Sequence, residues 1–369
     1  MQKSSFLKLP PIGQGTGFDF SKVSQKKFIY LLQKGVSLGM TFIDTAESYG
    51  DGLAEKLVGA AIKKNRAHVI VGTKFSPEHS SYGSVIAACN ASLERLSTDY
   101  IDLYQVHWPN YSVSFEETFR ALSDLVGDGK VRYIGVGNFS QTELQRASKL
   151  LGKIKLASIQ SEYNIFERSV EYNGVFDYCQ QNNLQLVAFS PLDQGRIGSM
   201  SPLQKELIEG LAIKYGKSGS QIILNWLTKN RYVTGVPMTL NESHLIENSL
   251  AASFVMTKSE YDKIDKAFFA KLLSVPVEKI RVSAHGERDS RVYQTIDEAL
   301  ENKLNFNPSP KELADVIKEG GLLKPVRLVR AKGSNKYDFD LISGRIRYWA
   351  WVIAYEGKRP IPAHVREYI

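Results

Sequence analysis

Cysteine is nearly absent from this chain, with only Cys89 and Cys179 among 369 residues. Both fall in segments with helical spacing, so neither a disulfide framework nor a zinc cluster is expected, and a reducing compartment is. Any uninterrupted apolar run long enough to span a membrane is also missing, and the opening stretch MQKSSFLKLPP lacks the apolar centre of a signal peptide. A cytoplasmic protein without membrane attachment is therefore the expectation. Nor is there a strong charge of one sign. The net charge of +8 divides evenly, with 30 Lys/Arg against 26 Asp/Glu in residues 1–272 and 17 against 13 in residues 273–369. Four extra charges on the shorter part admit an anionic ligand but do not call for nucleic acid, and no DNA partner is expected. What the chain does have is 43% hydrophobic residues, enough at this length for one large domain and a small one.

From residue 12 to about 236 one unit recurs, a short β-branched apolar run followed by a longer stretch of helical period. The runs are IGQGT (12–16), MTFID (40–44), VIVGTK (69–74), IDLYQVH (101–107), YIGVGN (133–138), ASIQSE (157–162), QLVAFS (185–190) and YVTGVP (232–237). Eight strand–helix repeats predict an α/β fold, a closed parallel (β/α)8 TIM barrel, over residues 1–272.

In such a barrel the strands' carboxyl ends and the loops after them share one mouth. Asp44 ends the second strand with Tyr49 in the loop beyond, Lys74 ends the third and His107 the fourth. These four make chemical sense together. A phenol ordinarily ionises near pH 10, so Tyr49 can give up a proton at neutral pH only beside a cation that stabilises its anion. Lys74 supplies that cation and Asp44 would keep it charged and aimed, while His107 could hydrogen-bond a carbonyl oxygen as negative charge builds on it. The set needs no metal, thiol or serine nucleophile. It suggests addition to a small-molecule carbonyl, with a cofactor supplying the other reactant.

FIDTAESYG, VGTKF, LSTDYIDLYQVHWP, GVGNFS and IQSEYN, in that order over residues 6–270, resemble the aldo-keto reductase family. The resemblance implies an oxidoreductase using NADP or NAD without a Rossmann fold, with a tetrad of Asp44, Tyr49, Lys74 and His107. It further implies that Asn138 and Gln160 hold the nicotinamide carboxamide and that Phe189 stacks on the ring. Gly15, Thr16, Ser190, Pro191, Leu192 and Pro237 would line the rest of the cofactor groove, with Thr239 and Asn248 at its adenosine end. Three positions depart from the family pattern. Gly137 replaces a common Ser, and Phe189 a common Tyr. Met238 and His244 stand where members that prefer NADPH usually carry a Lys and an Arg.

Beyond residue 272 the helical period gives way to a small α+β unit. The predicted order is a strand (277–282), a charged loop (283–291), a helix around PKELADVIKEGG, a strand PVRLVRA, a turn at KGSNK, a strand YDFDLI and a final helix after SGR. Ser343 and Gly344 would form a turn at a helix N-terminus, with Arg345 and Arg347 beside it, an arrangement suited to phosphate. VPVEKIRV, ELADVIKEGGLLKPVRLV, YDFDLISGRIRYWAW and RPIPAHVREY, over residues 275–368, are similar to the ParB/sulfiredoxin-like domain. That likeness implies a second, nucleotide-binding site in residues 273–369. The leading expectation is thus an NAD(P)-dependent carbonyl reductase with a nucleotide-binding tail. The alternative is a nicotinamide-binding redox sensor read out through that tail.

Overall fold

The computed structural model describes residues 6–195, 200–269, 271–282, 292–306, 308–319, 324–331, 334 and 336–366. The chain divides into two compact units, Met1–Ala267 and Phe268–Ile369.

The first unit carries eight strands, β1 (Gln14–Gly15), β2 (Phe42–Asp44), β3 (Ile70–Phe75), β4 (Ile101–Val106), β5 (Val131–Gly137), β6 (Leu156–Glu162), β7 (Gln185–Phe189) and β8 (Val233–Gly235). They lie side by side in chain order, every pair parallel. The sheet curls back on itself, because Ile12 bridges Gly235 in parallel. Gly13 N donates to Gly235 O at 2.8 Å, Gly235 N to Pro11 O at 2.9 Å and Gly15 N to Pro237 O at 3.0 Å. Helices follow the strands, and several start on side-chain caps. Ser114 accepts from Glu117 N, and Ser140 with Glu143, Ser201 with Gln204 and Ser218 with Gln221 form reciprocal capping boxes.

Because successive strand residues face opposite sides, the inside of the barrel reads off alternate positions. Phe42, Leu103, Ala157 and Val187 pack with Leu7, Leu9 and Val236 into an apolar floor. Two residues above that floor on their own strands stand Asp44, Gln105 and Phe189. Two polar side chains and the Phe189 ring are thus set on apolar packing toward the carboxyl ends of the strands.

The second unit holds one five-stranded mixed sheet, β9 (Lys271–Val275), β10 (Ile280–Val282), β11 (Val326–Arg330), β12 (Phe339–Ser343) and β13 (Ile361–Arg366). Their order is β10-β12-β11-β13-β9. Its core joins Val275, Val277, Ile280, Val326, Leu328, Leu341 and Trp349. A helix Pro310–Lys318 packs on the helix Arg345–Tyr355 through Leu313, Ala314, Ile317 and Ala350.

Three expectations change here. The division falls at 267/268 rather than 272/273, because KLLSV is a strand of the second sheet, paired antiparallel with β13. The strand expected over 277–282 is a 3-10 turn, Val277–Lys279, and then β10. A short helix, Ile296–Leu300, and the strand β13 were not foreseen. The charged loop 283–291 lies outside the described residues, as do residues 332, 333 and 335 of the KGSNK turn.

Candidate active site

Lys74 is almost wholly enclosed, at 1% exposure, and Asp44 beside it is at 3%. The lysine Nζ lies 2.9 Å from both Asp44 Oδ1 and Oδ2, and donates to Thr45 O at 2.7 Å. Burial works against the ammonium, but Asp44 and Tyr49 outweigh it and hold Lys74 above the usual lysine range. Strand register accounts for the placement, since Asp44 sits opposite Gly72 and Lys74 comes two residues later on the same face. Gly72 leaves the space, as a Cβ there would lie 2.9 Å from the Phe42 ring.

Tyr49, half-buried in the loop after β2, brings its ring to 5.0 Å from Lys74 Nζ and meets the His107 ring edge-on at 5.8 Å between centroids. His107 is held neutral. Crowding by protein atoms, and secondarily the Lys74 charge, push its imidazole down to about 3, although part of its surface reaches solvent. A neutral imidazole keeps one N–H to donate. Asp44, Tyr49, Lys74 and His107 therefore share one mouth.

Gln160 joins them. Its Nε2 donates to Asp44 Oδ2 at 3.0 Å, which leaves Oε1 buried with no hydrogen-bond partner. Asn138, with φ of 62°, donates weakly to His107 O at 3.4 Å, and its Oδ1 is likewise buried and without a partner. Two buried acceptors side by side at a mouth call for a ligand with N–H groups, because an unmet acceptor costs about 1–3 kcal/mol. A carboxamide fits them. The departure at Gly137 now has a cause: a Cβ there would stand 2.3 Å from His107 O. Serine cannot enter without moving β4 or β5.

The remaining positions ring this centre. Thr16 is committed structurally, its hydroxyl donating to Asp44 O at 2.9 Å. Phe189 is partly buried and packs on the barrel floor. Ser190, with φ of 49°, offers its carbonyl to Asn164 Nδ2 at 3.1 Å, and Pro191 and Leu192 follow, buried and half-buried. Gly15 and Pro237 are joined across the β1–β8 seam, and the Gly15 Cβ position lies 3.3 Å from Met238. Met238 and His244 are exposed and Asn248 is buried. Thr239 Oγ1 accepts from Asn241 N at 3.1 Å. Ser343, Gly344, Arg345 and Arg347 belong to the second unit.

Two features escaped the sequence reading. Trp108, directly after His107, is 43% exposed, a large apolar surface whose signal was its place one step beyond a strand-end histidine. Glu242, in the first turn of the helix Glu242–Ser249, accepts from Tyr30 OH at 2.9 Å, which puts a carboxylate in the same turn as His244. Among the described residues no group of three or more His, Cys, Asp or Glu could hold a metal, and no helix is long and apolar enough to cross a membrane.

Comparison with known proteins agrees with the geometry. Methylglyoxal reductase YeaE of Escherichia coli is 36% identical over 270 residues, 73% of this chain and 94% of that protein. Glyoxal reductase of Bacillus subtilis is 34% identical over 63% of this chain and 81% of its own length. Among solved structures, an aldo/keto reductase from Klebsiella pneumoniae in complex with NADP and acetate is 32% identical, with a TM-score of 0.65 over 70% of this chain and 92% of that one. Residues 11–268 match the aldo/keto reductase family from β1 to the end of the first unit. The chain belongs to that family and is an NAD(P)-dependent oxidoreductase.

Proposed function

We propose that the barrel reduces a small α-oxoaldehyde, of the methylglyoxal and glyoxal kind, to an alcohol, with Tyr49 as the proton donor. The observation that carries the reading is the convergence of Tyr49 on the buried Lys74–Asp44 pair beside a neutral His107. The nicotinamide supplies a hydride when bound, and the partnerless oxygens of Asn138 and Gln160 would receive its carboxamide N–H groups. Around that chemistry the chain does five things. Tyr49 gives its proton to the carbonyl oxygen, and Lys74 stabilises the phenolate left behind. Asp44 keeps Lys74 charged. His107 donates its N–H to the same oxygen as charge grows there. Trp108 offers an apolar wall for the substrate. NADPH oxidation with methylglyoxal, followed at 340 nm, tests the reading, and no turnover with methylglyoxal or glyoxal would defeat it.

Cofactor choice follows from charge. A charged hydrogen bond is worth about 1.5–3 kcal/mol, and Met238 offers none to a 2′-phosphate. Glu242, two residues before His244, adds a charge of the wrong sign. Dissociation constants for NADH and NADPH at pH 7.5 are expected to lie within about tenfold of each other. A strong preference for NADPH would show that another cation serves the phosphate.

For the second unit we propose a nucleotide phosphate at the Ser343–Gly344 turn. Gly344 has φ of 99° and leads into the eleven-residue helix Arg345–Tyr355, and a helix N-terminus favours an anion. Arg345 is buried at 4%, against the solvent-facing place a charged residue usually takes. Arg327, at 3%, stands in register with Ser343 on one side and with His364, at 5%, on the other. Arg347 Nη1 donates to Lys324 O and Pro325 O, both at 2.9 Å, and so braces the entry to β11. Calorimetry on the full chain already saturated with NADPH should give a second isotherm with ATP, GTP or CTP. A flat trace with all three would leave the turn a strand-to-helix connection.

A further inference from the structure

Past the end of β2 the chain keeps pairing with β3. Thr45 N donates to Gly72 O at 2.8 Å and Glu47 N to Lys74 O at 3.1 Å, so alternate residues continue the parallel ladder. The next rung is made by a side chain, as Ser76 N donates to Glu47 Oε1 at 2.6 Å. The same oxygen faces His79 Nδ1 at 2.7 Å, and the Glu47 side chain is only 10% exposed. The 3-10 turn Pro77–His79 is also gripped from its other side, where Asn110 Nδ2 donates to Pro77 O at 2.8 Å. Asn110 is itself oriented by Ser112 N, which donates to its Oδ1 at 2.8 Å.

The spacing of these contacts gives them their meaning. Glu47 precedes Tyr49 by two residues, Ser76 follows Lys74 by two, and Asn110 follows His107 by three. One run of hydrogen bonds thus joins the three loops that begin at Asp44, Lys74 and His107. Ring contacts of 5.0 and 5.8 Å and a side-chain hydrogen bond to Lys74 set the Tyr49 side chain against Lys74 and His107, and their geometry depends on where the Tyr49 loop is held. A misplacement of about 1 Å at a reacting group can cost about 100-fold in rate.

We propose that Glu47 is a positioning residue: by supplying the missing rung to Ser76 and receiving His79, its carboxylate fixes the Tyr49 loop against the Lys74 loop. The inference rests on the proposed role of Tyr49, and its test keeps the two apart. Glu47→Ala removes both bonds. Glu47→Gln keeps an oxygen that can accept from the same two donors, and His79→Ala removes one donor alone. Three readouts are compared: hydrogen exchange at the Ser76 amide, the ionisation of Tyr49 from the 295 nm difference between each protein and its Tyr49→Phe counterpart, and steady-state kinetics with 4-nitrobenzaldehyde and NADPH.

Glu47→Ala should lose Ser76 protection, shift the Tyr49 ionisation to higher pH and reduce kcat by roughly 10- to 100-fold. KM for the aldehyde and the Kd for NADPH should change by less than about twofold. Glu47→Gln should restore all three readouts, and His79→Ala should show a smaller loss in the same direction. Two results would overturn the proposal. One is lost Ser76 protection with an unmoved Tyr49 ionisation and a wild-type kcat. The other is a Gln variant as impaired as the Ala variant. The ionisation readout needs no substrate, so a wild-type chain that turned over no aldehyde would strike the proposed function and leave this test standing.

Discussion

Tyr49→Phe is expected to lower kcat for aldehyde reduction by about 10²- to 10⁴-fold while the Kd for NADPH changes little. The size follows from the proposed role of Tyr49, a general acid that nothing nearby would replace. His107 meets the Tyr49 ring edge-on, but its imidazole is pushed down to about 3. At neutral pH it is therefore a hydrogen-bond donor and not an acid. Lys74 is enclosed at 1% exposure by Asp44 and Thr45 O, and giving its proton away would leave a buried carboxylate uncompensated. Stopped-flow turnover at saturating NADPH measures the effect, with fluorescence quenching for cofactor binding. A Phe variant near the wild-type rate would take the proton donor's role from Tyr49 and assign it to water.

The second large effect is on stability as well as rate. Lys74→Met should abolish measurable turnover and destabilise the barrel by about 3–5 kcal/mol, because it leaves the buried Asp44 carboxylate without its cation. Replacing both partners, as Asp44→Asn with Lys74→Met, should recover most of that stability and none of the activity. Urea unfolding of the two single variants and the double variant gives the coupling. Equal loss in the single and double variants would mean that the pair contributes through packing alone. The reasoning depends on enclosure, since an exposed ion pair would be worth only about 0–1 kcal/mol.

Much of this arrangement was legible in the sequence, and the reason is the strand period. Where a β-branched run ends, the following residue is committed to one face, so Asp44, Lys74 and His107 could be placed from spacing alone. All eight strands lie where the apolar runs put them. Other features depend on chain segments meeting in space. KLLSV carries no turn chemistry to separate it from the helix before it, and only pairing with β13, some ninety residues on, makes it a strand. Gly137 looked like a lost hydroxyl, whereas its reason is the carbonyl of His107 on the neighbouring strand. Arg345 was placed beside the turn by its position in the sequence, whereas its burial at 4% shows only in the folded unit. The Glu47 staple involves three loops, and no local pattern announces a side chain that takes a backbone's place in a ladder.

Gln160 is a side-chain amide whose two ends face different tasks. Turning it over would put its oxygen against the Asp44 carboxylate, two acceptors with no proton between them, so the acid fixes which way round the amide sits. Asp44 thereby acts as a rotational lock, holding the Gln160 oxygen toward the space beside Asn138 before anything arrives there. Substitutions at these two positions are consequently not separable traits. Remodelling residue 160 to change what is recognised also removes a donor from the acid, and neutralising the acid frees the amide to spin. A lineage or a designer altering one of these positions would inherit a constraint at the other.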